Sequence, residues 1–314
     1  MSLPGPLVAI VGPTASGKST LAEHIACELS TSVVSVDAMQ VYRGMDIGTA
    51  KVPVEQRRCP LLMVDVADIG QDYSVKLYQR DARACVDNLL ASHSVPVLCG
   101  GTGLYLNAII DDMRFPAGEK GGLRRTAYER ELEELGAQAL FQKLVERDPR
   151  SAELIHPNNV RRVIRALEML DEGSSYATHH EGLAALAPRY DARIWAIDVE
   201  RTELYRRIDE RVDLMFAQGL VDEVSRLRDL GLKRSKTASQ AIGYKEVLEA
   251  LDGIVTLDEA RETIKKRTRH YAKRQLSWFR HDKRVRWIDA RDLDGTARTI
   301  VLDLLKADGN VTEA

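Results

Sequence analysis

Short runs of apolar, mostly β-branched residues recur through the first third of the chain, at residues 7–11, 33–36, 61–66 and 95–99. Each is too short for a helix and too evenly apolar for a strand with one wet face, so each reads as a buried strand. Between them, residues 19–29 and 77–90 space their apolar positions for a helix. This alternation predicts a parallel sheet covered on both faces. A later run, "IWAIDV" at residues 194–199, adds another strand to the same sheet. Between Phe115 and Arg189 the pattern changes, and no run reads as a strand. "LRRTAYERELEELGAQALFQKLVE" and "NNVRRVIRALEMLDEG" both read as amphipathic helices, the second ending at Gly173. Gly- and Pro-bearing connections, "FPAGEKGG" and "LAPRYDA", lie on either side. Beyond Glu200 the pattern is mostly helical, at residues 202–219, 220–231 and 257–280, and the tail "KADGNVTEA" reads as frayed. The expected organisation is an α/β core over residues 1–115 and 190–314, interrupted by an all-helical insertion at 116–189.

Composition adds limits. With 314 residues, 44% of them hydrophobic, the chain can bury a large core. The net charge of -2 says nothing about a polyanionic partner, which only local charge can reveal. No run approaches the roughly 18 apolar residues of a membrane span. The N-terminus has no basic region and runs straight into a glycine loop, so it reads as a strand and not as a signal peptide. Cys27, Cys59, Cys85 and Cys99 are scattered and read as reduced thiols, not as a zinc site. A cytoplasmic, monomeric enzyme is expected.

The first strand opens directly onto Gly12-Pro13-Thr14-Ala15-Ser16-Gly17-Lys18-Ser19. This is a phosphate loop between a strand and a helix, G-x-x-x-x-G-K-[ST], so the core is of the P-loop type. Backbone N–H groups and the helix N-terminus favour an anion, Lys18 adds a point charge, and Ser19 is placed to bind Mg²⁺. The motif specifies a di- or triphosphate. A kinase, an NTPase and a diphosphate-releasing transferase all fit it. Asp37 follows the second strand, at the edge where parallel sheets bind ligands. From position it reads as a magnesium-linked acid, a general base, or an Asx turn at a strand exit.

Six stretches occur in order: "GPTASGKS", "DAMQVYRGMDIGTAK", "GGTGLYL", "NNVRRVIRALE", "QAIGYKE" and "AKRQLSWFR". Together they resemble the tRNA isopentenyltransferase (IPP transferase) family, across roughly residues 7–287. The resemblance implies transfer of a dimethylallyl group from its diphosphate ester to the 6-amino group of the adenosine 3′ to the anticodon. It implies that the loop holds the diphosphate of that donor, with Mg²⁺. Asp37 then corresponds to the base that takes the amine proton, as a delocalised amine requires. Thr102 in "GGTG" resembles the family threonine that touches the target nucleotide or the donor; a helix N-cap is the alternative. Arg211 resembles the arginine near the diphosphate. Arg207 shares its helix face, so the two either line a phosphate site or pair with Asp209 or Asp213 in solvent.

The acceptor would be handled as a flipped base. The resemblance assigns tRNA contact to Asp37, Ala38, Met39 and Gln40, together with Thr102. It adds Arg161, Arg162, Val163, Ile164 and Arg165, then Gln240, Ala241, Ile242, Gly243, Tyr244 and Lys245. Arg124 stands where a contact is expected at the start of the insertion. Gln40 has the donor and acceptor to read an adenine edge, or it satisfies loop backbone. Independently, residues 261–286 hold many Lys and Arg against only Glu262 and Asp282. Ile264, Tyr271 and Trp278 share one stripe of that stretch, expected to pack inward and leave a basic side for phosphates. Two departures from the family pattern stand out: Ala38 replaces the usual serine, and Leu61 and Leu62 replace a usual pair of histidines. A P-loop kinase, a non-catalytic RNA-binding protein, and an enzyme that prenylates free adenine nucleotides are the competing readings.

Overall fold

The computed structural model describes residues 3–115, 122–184, 186–289 and 291–307. Its strands are β1 (Leu7–Val11), β2 (Val33–Val36), β3 (Leu61–Leu62), β4 (Val97–Gly100), β5 (Ala192–Asp198) and β6 (Val285–Asp289). The helices are α1 (Lys18–Glu28), α2 (Val75–Ala91), α3 (Gly103–Ile110), α4 (Leu123–Arg147), α5 (Pro149–Leu154), α6 (Val160–Asp171) and α7 (Tyr176–Ala184). They continue with α8 (Arg201–Ala217), α9 (Leu220–Asp229), α10 (Tyr244–Leu251), α11 (Leu257–His281) and α12 (Leu293–Ala307).

All strands pair in parallel, in the order β3-β2-β4-β1-β5-β6. β1 is central and buried throughout, which is why its sequence is uniformly apolar. Strand alternation sorts its side chains. Leu7, Ala9 and Val11 join Val34, Val36, Leu98 and Ile194 on one face, under α2, α3 and α9 to α11. Val8 and Ile10 join Val33, Val97 and Trp195 on the other, under α1 and α12.

Several boundaries differ from the sequence pattern, each for a local reason. β3 stops after two residues because Met63 and Asp65 take left-handed φ of 61° and 56°. β4 begins past Pro96, which has no N–H for the ladder, and Pro96 O accepts from Val8 N instead. β6 was not expected. Its charged Arg286 and Asp289 face outward on an edge strand, and such charge masks the alternation.

By residue contacts the chain forms two compact units, Met1–Asp111 with Pro188–Ala314, and Asp112–Ala187. The first contains the whole sheet. The second is helical, built around Leu140, Leu144, Val163, Ile164, Ala166 and Leu167. Its long helix, read from sequence as continuous, is kinked at Gly136, where φ is 83° and ψ is 168°. Most of "FPAGEKGG" and the last seven residues of the tail lie outside the described residues; Lys306 and Ala307 close α12.

Candidate active site

The phosphate loop joins β1 to α1. Gly12 and Gly17 take φ of 143° and 92°, and Gly17 caps the helix in a left-handed conformation that a side chain would strain. Lys18 Nζ donates to Pro13 O at 3.2 Å. Burial pulls the Lys18 ammonium below its ordinary pKa; nearby Arg211 adds to this, while Cys99 and Asp37 oppose it. Ser16 Oγ is buried with no hydrogen-bond partner among the described residues. An orphaned hydroxyl inside an anion cradle is suited to a phosphate oxygen.

At the next strand end, Asp37 Oδ1 accepts from Met39 N at 2.8 Å and Gln40 N at 3.3 Å. The Asx turn is therefore real, and it orients the carboxylate. Oδ2 takes neither amide. Thr102 N donates to Val36 O at 3.2 Å, and Thr102 Oγ1 accepts from Ala38 N at 3.3 Å. Thr102 occupies the N-cap position of α3 without a side-chain cap bond; its hydroxyl serves the Asp37 loop instead. Gly100 is needed at the end of β4 because a Cβ there would lie 2.0 Å from Val36 O.

Lys18, Ser19, Asp37, Thr102 and Arg211 line one cavity of about 510 Å³. Arg211 Nη1 donates to Thr14 Oγ1 at 3.4 Å, and burial lowers its guanidinium pKa while Asp37 raises it. The two alternatives for Arg207 and Arg211 resolve differently for each residue: Arg211 lines the cavity, and Arg207 does neither. Arg207 binds Glu203 at 2.7 Å, Asp209 binds Arg269 at 2.5 Å, and Asp213 binds Lys265 at 2.9 Å. Only Arg211 turns to the loop.

Sequence reasoning missed the contribution of α11. Tyr271, Arg274 and Gln275 all line the cavity. Burial, with the Asp37 charge, pushes the Tyr271 phenol up to about 12, against hydrogen bonds to Thr102 and Gln275. Gln275 Oε1 accepts from Thr14 N, and its Nε2 donates to Gly101 O, both at 2.9 Å. The only signal available was "AKRQLSWFR" itself, where a glutamine amid cations reads as surface.

Several residues assigned to RNA contact are placed otherwise. Gln40 Oε1 accepts from Ser35 Oγ at 2.7 Å, and its Nε2 donates to Thr49 O at 3.1 Å. Gln40 thus braces the loop through its carbonyl and one amide hydrogen, while it also lines the cavity with a second amide hydrogen to offer. Tyr244 is fully buried and donates to Glu223 Oε1 at 2.6 Å. Val163 and Ile164 are buried as well, which leaves them packing roles, while Ala241, at 6% exposure, lies on the cavity wall. Ala38, Met39, Gln240, Ile242 and Gly243 line the cavity, and Lys245 lies 3.9 Å from Glu249. Arg161 and Arg162 are exposed, Arg165 lies near Glu168 and Glu172, and Arg124 Nη1 donates to Asp171 O at 2.9 Å.

The basic stretch is partly neutralised. Arg267 pairs with Glu246, Arg284 with Asp111 and Arg286 with Asp303. Lys266, Lys273, Arg274, Arg280 and Lys283 make no ion pair among the described residues. The expected inward stripe holds at Ile264, at 2% exposure, and fails at Trp278, at 45%. Gly103 lies under the Trp278 ring, where a Cβ would come within 2.1 Å.

Among the described residues no cluster of three His, Cys, Asp or Glu could cage a metal ion. An ion carried on a diphosphate needs only one or two protein oxygens, because Mg²⁺ keeps its waters. The Ser19 hydroxyl on the cavity wall fits that role.

Residues 40–282 match the family described as IPP transferase, and residues 5–57 match isopentenyl transferase. The chain is 44% identical to a tRNA dimethylallyltransferase of Parafrankia sp., over 92% of this chain and 89% of that one. A full-length tRNA isopentenylpyrophosphate transferase from Bacillus halodurans is 42% identical, with a TM-score of 0.69 over 96% of this chain and 95% of that chain. A eukaryotic dimethylallyltransferase acting on tRNA is 25% identical, with a TM-score of 0.80 over 99% of this chain and 81% of that chain. The family match over residues 40–282, with a relative 44% identical over 92% of the chain, shows that this chain belongs to the IPP transferase family.

Proposed function

We propose that the chain transfers a dimethylallyl group from dimethylallyl diphosphate to the 6-amino group of the adenosine 3′-adjacent to the anticodon in tRNA. The products are N6-(dimethylallyl)adenosine and diphosphate. One observation carries the reading: a cationic phosphate loop and a carboxylate fixed by its own turn share one cavity.

The chemistry follows from that juxtaposition. The amine nitrogen attacks the first carbon of the prenyl chain, and the carbon–oxygen bond to diphosphate breaks. Asp37 takes the proton that the amine must lose, because its lone pair is delocalised into the purine. Lys18 and Arg211 face the negative charge that builds on the leaving oxygen. Both are desolvated, so each acts more strongly than in water. Mg²⁺ bound to the diphosphate, near Ser19, would supply further charge neutralisation. Apolar Val212, Met215, Ile242 and Ile264 on the walls exclude water from the reacting carbon. Thr102 holds the Asp37 loop, and Ala38 and Met39 present apolar surface to a flipped base. Exposed Arg161 and Arg162, with Arg124, Arg165, Gln240 and Lys245, are proposed as the RNA-facing set. Among the described residues no helix is long and apolar enough to cross a membrane, as fits an RNA-modifying enzyme.

The test offers an anticodon stem-loop RNA and adenosine monophosphate as competing acceptors, with dimethylallyl diphosphate and Mg²⁺, followed by nucleoside analysis. Prenylated adenosine in the RNA supports the reading. Prenylation of the free nucleotide alone replaces it with an adenylate prenyltransferase. ATP turnover without prenylation replaces it with a kinase or NTPase.

A further inference from the structure

The Gln275 side chain spans two loops that come from different strands. The residue is 5% exposed, and both ends of its carboxamide are committed, to Thr14 N in the phosphate loop and to Gly101 O after β4. The fit around the amide is tight. A Cβ on Gly101 would sit 2.0 Å from Gln275 Nε2, so glycine at 101 makes room for this amide. The bond to Thr14 is also unusual in kind. A phosphate loop ordinarily turns its backbone N–H groups toward the anion. Here one of them is held by α11, while the Thr14 hydroxyl takes Arg211. Gly101 precedes Thr102, whose hydroxyl holds the backbone of the residue after Asp37. Gln275 thus connects the cradle for the leaving group to the loop that carries the base.

We propose that Gln275 is a positioning residue that keeps the phosphate loop and the Gly101–Thr102 turn in register, aligning the departing diphosphate with the Asp37 carboxylate. This rests on the prenyl-transfer reading above. Its physical basis is that a misplacement of about 1 Å in a reacting pair lowers rate by roughly 100-fold. No other described side chain bonds both loops. A packing role alone would need an apolar group of this size, whereas the geometry uses one acceptor and one donor.

Two variants and two readouts test it. Gln275→Met keeps the volume and removes both bonds. Gln275→Glu keeps the acceptor for Thr14 N and donates to Gly101 O only when protonated. Each is compared with wild type for kcat on an anticodon stem-loop RNA, and for binding of inorganic diphosphate with Mg²⁺ by calorimetry. The expected result for Gln275→Met is a kcat lower by about 10- to 100-fold, weaker diphosphate binding and little change in KM for RNA. For Gln275→Glu, the ratio of its kcat to that of wild type rises as pH falls, because protonation restores the donor. Wild-type kcat and diphosphate affinity in both variants would overturn the proposal. So would losses whose ratio to wild type is flat with pH, which mark a packing role. If wild type prenylates no RNA while the variants still weaken diphosphate binding, the functional reading fails and the tie to the phosphate loop stands.

Discussion

The Ala38 backbone amide donates to Thr102 Oγ1 across 3.3 Å, joining the exit of β2 to the exit of β4. The Asp37 carboxylate is therefore fixed from two sides, by its own turn and by a neighbouring strand's loop. The Asp37→Asn variant keeps an acceptor for Met39 N and Gln40 N but cannot take a proton. Its kcat is predicted to fall by about 10²–10⁴, with thermal unfolding close to wild type. Steady-state kinetics beside a melting curve check both halves; unchanged kcat would remove Asp37 as the base.

Thr102→Val keeps the shape and removes the acceptor for Ala38 N. The predicted loss is about 10-fold in kcat, smaller than for Asp37→Asn, because the turn bonds to Asp37 Oδ1 survive. A loss equal to that of Asp37→Asn would make Thr102 a direct participant.

Lys18 gives a pH signature. Burial lowers its pKa from the free-lysine value of 10.5, and a bound diphosphate raises it again. Binding in the alkaline range thus takes up a proton. Diphosphate affinity is predicted to fall as pH rises through the lowered pKa of the unliganded protein. In Lys18→Met that alkaline limb disappears and affinity is weaker throughout. Calorimetry in buffers of different ionisation heat reads the proton uptake directly; no uptake in wild type would contradict the assignment.

Glu223 is 5% exposed and serves the loop after Gln40. Its carboxylate accepts from Asp46 N at 3.1 Å, Ile47 N at 2.9 Å, Gly48 N at 3.3 Å and Tyr244 Oη at 2.6 Å. Glu223→Ala leaves the buried Tyr244 hydroxyl and three loop amides without their acceptor and is predicted to cost about 2–4 kcal/mol of folding stability. Tyr244→Phe loses one bond, about 1 kcal/mol. Denaturant titration separates the two; equal, negligible losses would show that the loop is held elsewhere.

Lys266, Lys273 and Arg280 recur at seven-residue spacing on α11, exposed and without ion-pair partners among the described residues. Arg269, one turn away, is spent on Asp209. Lys266→Ala and Lys273→Ala are predicted to weaken RNA binding and reduce the salt slope by about one unit each, while Arg269→Ala acts mainly on stability. A salt slope that drops only for Arg269→Ala would reverse the assignment.

Legibility in the sequence followed how local the cause was. β1, the glycine loop and α1 could be read because a buried strand, a left-handed Gly17 and a helix are all set by neighbouring residues. Asp37 and Thr102 were found by motif, and their placement in one cavity follows from the parallel sheet order. What escaped depends on distant partners. Gln275 acts 261 residues from Thr14, and nothing around it in sequence marks it as buried. Tyr244 was read as an RNA contact because a polar side chain in a motif looks available; its partner Glu223 uses it up, and Ser35 and Thr49 take part of the Gln40 amide. The basic stretch looked freer than it is because Asp209, Asp213 and Glu246 come from other helices.

The most direct test of the account is single-turnover prenylation of an anticodon stem-loop RNA by wild type and Asp37→Asn, each saturated with dimethylallyl diphosphate and Mg²⁺ and read by mass spectrometry of the digested RNA. The account predicts that wild type adds one dimethylallyl unit to the adenosine 3′ to the anticodon, while Asp37→Asn binds donor and RNA and leaves the base unmodified on the same timescale. Equal single-turnover rates for the two proteins would contradict it.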